Sequence, residues 1–313
     1  MASLRSLLFN TVARTTAKRY ARSMQLEPAV LHKARQGMES MGERMLKSFS
    51  GARFEDSMLA QVPVIWSRAT SSAGASETGD TSGIIYYCHG GGYILASPRV
   101  YRRFTGLLSQ LTGCEVVAPD YRLAPEHPFP AAPDDALAGY RALLDQGIDA
   151  KRITVMGDSA GGNLALVTLL NIKQAGLPLP NSGVLLSPWA DLTGSGYSYR
   201  ENARKDPVIP ANRIGEAARA YAPDEDLSDW RISPLFGSFS GLPPLLIHVG
   251  STEVLRDDAR RIAQRASAAG VYAHLKVWYR MPHVFQIFSQ FIPEAREAMD
   301  EIAEFVTLRR LES

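Results

Sequence analysis

The chain has 313 residues, 45% hydrophobic and 21% charged, enough for one large α/β domain or two ordinary ones. Its 34 basic and 32 acidic residues give a formal charge of +2, an overall balance with no bias toward nucleic acid or a membrane surface. Cys88 and Cys114, the two cysteines, form no CxxC pair; this excludes a disulfide framework or a zinc site and fits a reducing, cytoplasmic compartment.

The first segment, "MASLRSLLFNTVARTTAKRYARSMQ", is basic and free of acids, superficially like a transit peptide, but it lacks the apolar core and cleavage site of a secretory signal. Leu4, Leu7, Leu8 and Val12 share one helical face, and Leu31, Ala34, Met38, Met41 and Met45 form a second stripe. Two amphipathic helices retained in the mature protein are expected. No stretch reaches the roughly 20 apolar residues of a membrane-spanning helix.

From about residue 61, β-branched runs alternate with helical stretches, the pattern of a mostly parallel sheet covered by helices. Expected strands are "PVIW", "GIIYYC", "EVVAP", "RITVMG", "GVLLS", "PLLIHVG" and "YAHLKVWY". Helices are expected over 99–111, 131–146, 160–175, 254–269 and 284–307, the last interrupted or bent near Pro293. Residues 71–83 read as a polar turn between early strands. Residues 190–240 are rich in Gly, Pro and polar side chains, with one helix near 211–221, and read as an excursion from the sheet. Its acidic run "DEDLSD" lacks the spacing of a calcium loop and reads as a solvated turn.

In "YYCHGGGYILASP", an apolar strand meets His89 and then Gly90, Gly91 and Gly92. Glycine is the costliest residue to order. On this stretch alone two readings stand: a strand-ending turn, or backbone N–H groups converging on a ligand.

The run "RITVMGDSAGGNLALVTLL" is more specific. A strand meets Gly157-Asp158-Ser159-Ala160-Gly161 and then a helix, which is G-x-S-x-G in the context that pattern requires. A serine on so sharp a turn needs small residues two before and two after it, and sits at a helix N-terminus that favours negative charge. Ser159 is the candidate nucleophile.

Its hydroxyl needs a base, and the base needs an orienting acid. His32 falls on an N-terminal helix, and His127 and His248 read as structural. His274 lies inside the last strand, where sheet packing would hold its ring. His283 follows that strand and Pro282, at the edge of a parallel sheet where ligand groups gather. It is the candidate base, with helix capping as the plainer reading. For the acid, Glu253 leaves the strand "PLLIHVG" three residues beyond Gly250. Asp257 is second, in a helix's first turn where a carboxylate commonly serves the dipole. With a nucleophile and base assigned, the glycines acquire a purpose. Acyl transfer needs donors aimed at an oxyanion, and an HGGG run fills that role in lipases and esterases. Gly90, Gly91 and Ala160 are the expected donors, with His89, Gly92 and Asp158 in support.

Together, HGGGY (89–93), "DYRLAPEHPFPAA" (120–132), GDSAGG (157–162), "SPWADL" (187–192) and Pro282-His283 resemble the hormone-sensitive-lipase-like (family IV) microbial carboxylesterases of the α/β-hydrolase superfamily. The resemblance spans about residues 80–290. It implies an eight-stranded core sheet with helices on both faces. It also implies a catalytic domain over 46–313 and a cap built from residues 1–45 and 190–240. The implied enzyme is a cofactor-free and metal-free carboxylesterase whose partner is a small ester with a short- to medium-chain acyl group. No nucleic acid is expected, and the oligomeric state stays between monomer and homodimer. The family's usual Asp-Pro-Leu acid motif is here Glu253-Val254-Leu255, which bears on which residue is the acid. Two other functions are weighed. The same triad acts on amides, lactones or carbamates in other enzymes. Hormone receptors of this fold have lost the catalytic histidine, whereas this chain keeps both Ser159 and His283.

Overall fold

The computed structural model describes residues 2–70 and 83–312, so most of the turn expected at 71–83 lies outside the described residues. Three helices come first: α1 (Leu4–Thr15), α2 (Ala17–Ser23) and α3 (Pro28–Leu46). An antiparallel pair, β1 (Ala52–Leu59) and β2 (Val62–Ala69), opens the sheet. There follow β3 (Ile84–Cys88), α4 (Pro98–Thr112), β4 (Glu115–Pro119), α5 (Ala131–Asp145), β5 (Ile153–Asp158), α6 (Ala160–Gln174) and β6 (Ser182–Leu186). The excursion carries α7 (Ser198–Glu201) and α8 (Ile214–Tyr221). The chain then forms β7 (Leu245–Gly250), α9 (Arg256–Ala268), β8 (Ala273–Trp278) and α10 (Pro293–Leu311).

The eight strands run in the order β1-β2-β4-β3-β5-β6-β7-β8, and β4 through β8 are parallel to one another. A parallel sheet buries both faces, which is why its strands read as near-continuous apolar runs. Ile84, Tyr86, Val155, Leu185 and Ile247 face the layer of α5, α6 and α9. Ile85, Tyr87, Met156, Val184 and Leu246 face α4 and α10. This is an α/β-hydrolase fold with helices on both faces of the sheet.

Sequence periodicity missed one strand. β1 carries Arg53, Glu55 and Asp56, and its burial alternates because it is an exposed edge paired on one side only. Of the two outcomes open for the expected helix over 284–307, interruption or a bend near Pro293, the structure shows interruption. A short turn at Phe285–Phe288 ends, and Pro293 starts α10 in its first turn, where a missing N–H costs nothing.

The N-terminal stripes depart further from expectation. Leu4, Leu8 and Val12 point outward, while Ser6 and Ala13 are the buried residues of α1. The helix is held by its other side. Ser3 Oγ bonds Glu294 at 2.9 Å, Phe9 packs on Phe288, and Arg14 donates to the carbonyls of Arg204 and Lys205. In α3, Leu31 and Ala34 are buried as expected, but Met41 is 46% exposed.

Candidate active site

The candidate residues converge at the carboxyl edge of the parallel sheet, because each follows the end of a parallel strand. His89 and its glycines follow β3, Ser159 follows β5, Glu253 follows β7 and His283 follows β8.

Ser159 is the N-cap of α6 and takes φ 55°, ψ −121°. A side-chain-bearing residue in such a conformation stores on the order of 1–3 kcal/mol, held here by its surroundings. The Ser159 N–H donates to Leu186 O at 2.8 Å, and its carbonyl accepts from Asn163 and Trp189, each at 3.0 Å. The flanking glycines have no room to be anything else. A Cβ on Gly157 would lie 2.1 Å from Gly161 O, and one on Gly161 would lie 2.1 Å from Cys88 O.

His283 Nδ1 lies 2.7 Å from Glu253 Oε2, and Glu253 is fully buried. The other carboxylate oxygen, Oε1, accepts from Ser187 Oγ at 2.8 Å and from the Gly250 N–H. Ser187 is itself at φ 47°, and its hydroxyl also takes the Val284 N–H, so it braces acid and base together. Asp257 is elsewhere: it accepts from the Ser198 N–H at 2.8 Å and pairs with Arg256. The structure therefore pairs Glu253, not Asp257, with His283.

Burial pulls the His283 imidazole down, but the Glu253 hydrogen bond and charge, aided by Asp206 and Asp158, outweigh it and hold the ring above its ordinary value. The other histidines stand apart. His32 and His127 are exposed, and buried His248 packs against Trp278. His274 is not held by sheet packing: it turns outward to Glu301 at 3.1 Å, because successive side chains of an edge strand alternate between core and solvent.

The glycine run needs one correction. Gly90 N–H donates to Asp158 Oδ1 at 2.9 Å and approaches Tyr101 OH at 3.2 Å, so it is committed inside the protein. A Cβ there would fall 2.2 Å from Asp158 Oδ2. Gly90 is glycine so that the loop can close over this carboxylate. Gly91 and Gly92, at φ 119° and 66°, instead line the cavity that contains Ser159 and His283. His89 anchors the loop. It stacks on Tyr121 with centroids 4.3 Å apart, its carbonyl accepts from Tyr121 OH, and burial lowers its pKa to about 4.

Asp158 also receives Tyr87 OH at 2.6 Å and Tyr101 OH at 2.8 Å. Burial raises it to about 6, against the pull of those hydrogen bonds and of the His283 charge. The sequence reading assigned it no partners, since these lie on β3 and α4, far away in the chain.

Asp206 was missed, and Ser187 stood in the quoted SPWADL run with no role assigned to it. Buried Asp206 accepts the N–H groups of Val208, Ile209 and Val254, the last adjacent to Glu253. Burial, then the Glu253 charge, raises its pKa. No local signal in the sequence says which strand end Asp206 approaches. Lys18 of α2 reaches the same segment, donating to Ala203 O at 2.9 Å and to Asp206 O.

The cavity encloses about 440 Å³. Phe9, Ala13 and Met24 come from the N-terminal segment and Met38 from α3, while Ile209 and Ile214 come from the excursion. Of the three methionines in the α3 stripe, Met38 alone reaches the lining. The arrangement suits attack by a serine on an apolar carbonyl compound, with a histidine–carboxylate pair to move the proton.

Residues 85–287 match the family model described as α/β hydrolase fold. The chain is 41% identical over 222 residues to an acetyl-hydrolase of Streptomyces hygroscopicus, covering 71% of this chain and 74% of that protein. It is 40% identical over 225 residues to an esterase of Acinetobacter venetianus, covering 72% and 74%. A solved esterase of the bacterial hormone-sensitive lipase family superposes with TM-score 0.89 at 36% identity, covering 99% of this chain and 100% of that one.

Proposed function

Since the chain belongs to the α/β-hydrolase family, in its hormone-sensitive-lipase branch, and is a carboxylic ester hydrolase, we propose that it cleaves short- to medium-chain acyl esters through an acyl-enzyme on Ser159. His283 takes the Ser159 proton as the hydroxyl attacks the ester carbonyl. Glu253 fixes the ring so that its second nitrogen faces the nucleophile, and its charge stabilises the imidazolium that forms. The tetrahedral oxyanion is met by the N–H groups of Gly91, Gly92 and Ala160. His283 then passes its proton to the departing alcohol, and water, activated by the same base, releases the acid.

The pairing of His283 with buried Glu253 at 2.7 Å, in the cavity that holds the strained Ser159, carries this reading. The acyl range follows from the lining: a few hundred Å³ of apolar space seats a short or medium chain and crowds a long one. Residues 1–45 and 190–240 serve as its cap, since both contribute to that lining.

Hydrolysis of p-nitrophenyl esters from acetate to palmitate, beside an anilide, tests the substrate class. Turnover should peak at or below medium chain length and be far slower on the anilide. Trapping with a p-nitrophenyl phosphonate, followed by peptide mass mapping, should place the adduct on Ser159. An adduct on another residue, or a preference for palmitate, contradicts the proposal.

A further inference from the structure

Helix α1 has two unlike faces. On the inner one, Phe9 and Ala13 line the cavity of Ser159 and His283, and Ala17 and Ala21 of α2 continue that wall. The outer one carries Leu4, Leu8 and Val12, which are 85%, 66% and 53% exposed. Steps of four residues advance about 40° around a helix, so these side chains form one narrow stripe. A lone exposed leucine is ordinary; an aligned apolar row backing an apolar cavity is not.

Charge is the second observation. Residues 2–26 contain Arg5, Arg14, Lys18, Arg19 and Arg22 and no Asp or Glu. Lys18 is buried and Arg14 is turned onto two carbonyls, but Arg5, Arg19 and Arg22 are exposed. The near-neutral whole chain conceals a locally cationic amphipathic segment. Tyr20, 58% exposed in the same segment, has the apolar ring and polar tip favoured at a lipid headgroup boundary.

We propose that α1 and α2 dock on an anionic phospholipid bilayer. Leu4, Leu8 and Val12 enter the boundary between headgroups and acyl chains, and Arg5, Arg19 and Arg22 meet lipid phosphates. A second copy of this chain suits the face less well. A two-fold contact would bring the same arginines of both copies together, with no carboxylate from either helix between them. Docking sets the cavity wall against lipid, so an ester dissolved in the bilayer reaches Ser159 by a short apolar route. That consequence rests on the proposed esterase reading; the docking does not.

The test is co-sedimentation of the full chain with vesicles of phosphatidylcholine alone and of phosphatidylcholine mixed with phosphatidylglycerol. The protein should pellet with the mixed vesicles only, and release at high salt. Leu4→Ser, Leu8→Ser and Val12→Ser together should lower the partition coefficient roughly tenfold or more, with melting temperature and p-nitrophenyl acetate turnover unchanged. Ser159→Ala should bind as wild type does, which separates docking from catalysis. Folded wild type that stays in the supernatant with both vesicles overturns the proposal. So does binding that survives the triple change, or a dimer in light scattering that the triple change converts to monomer without any vesicle binding.

Discussion

Replacing Glu253 by Gln removes one charge at a site where both carboxylate oxygens are already engaged. Oε1 faces two donors, the Gly250 N–H and the Ser187 hydroxyl, so the amide oxygen of Gln takes that position. The amide nitrogen then faces His283 Nδ1 across the 2.7 Å contact. It forces Nδ1 to accept, which moves the ring proton to Nε2 and leaves nothing to take the serine proton. In a serine-protease triad the equivalent loss of tautomer control costs about 10⁴ in kcat, and a similar fall is expected here. The pH profile gives an independent reading. Wild-type His283 is held above the ordinary value of about 6.5 chiefly by Glu253, working against burial. The base must be neutral, so activity is present above its folded pKa and lost as pH falls through it. The acid limb of kcat/KM should therefore lie above about pH 6.5 in wild type and below that in Glu253→Gln, where burial goes unopposed by the carboxylate. Hydrolysis of p-nitrophenyl butyrate between pH 4.5 and 9 measures both. A Glu253→Gln enzyme within tenfold of wild type, or an acid limb that does not move, refutes the reasoning. So does an Asp257→Asn variant that proves the crippled one.

Ser159→Ala should lose on the order of 10⁶ in kcat while melting like wild type, as seen by p-nitrophenyl ester turnover and calorimetry. Ser159→Gly, equally inactive, should melt higher because glycine relieves φ 55°. Gly90→Ala drives a Cβ to within 2.2 Å of Asp158 Oδ2, so both activity and melting temperature should fall; a variant that melts like wild type contradicts the fixed Gly90–Asp158 closure. Buried Asp258 accepts the N–H groups of Ala190 and Asp191, and burial, then the Asp191 charge, raises it to about 8. A carboxyl whose folded pKa exceeds its unfolded one of about 3.9 stabilises the native state below the lower value, and that contribution is lost as pH rises through the higher. Asp258→Asn should therefore gain melting temperature relative to wild type between pH 5 and 9, and a constant difference would disprove the assignment.

What was legible in the sequence is what the chain enforces on itself locally. A Cβ on Gly157 would fall 2.1 Å from Gly161 O within the same turn, so a G-x-S-x-G spaced between strand and helix announces its own geometry. All seven expected strands are present: the central parallel strands, buried on both faces, are near-continuous apolar runs, and β2 and edge strand β8 keep enough apolar residues to be read, while the charged, half-solvated β1 escaped notice. The glycine run was legible as a loop of unusual backbone, with Gly91 and Gly92 at φ 119° and 66°. Which N–H groups it offers depends on Asp158, 68 residues along the chain, whose carboxylate claims Gly90.

The stripe on α1 exposes a different limit. Period-3.6 spacing establishes that Leu4, Leu8 and Val12 share a face, and the usual inference is that the face is buried. That inference assumes the apolar side gains most from packing against the same chain. Here the opposite side carries the specific anchors: Ser3 on Glu294, Phe9 on Phe288, Arg14 on two carbonyls, and Lys18 inserted beside Asp206. These fix the rotation of the helices and leave the leucines outside. Three outward aliphatic side chains forgo roughly 1.5–3 kcal/mol each of burial, a cost that inward packing on an alternative rotation would have avoided. The anchors that impose the rotation also turn Phe9 and Ala13 into the cavity, so one choice of helix orientation both builds the wall beside Ser159 and presents the apolar row to whatever lies outside.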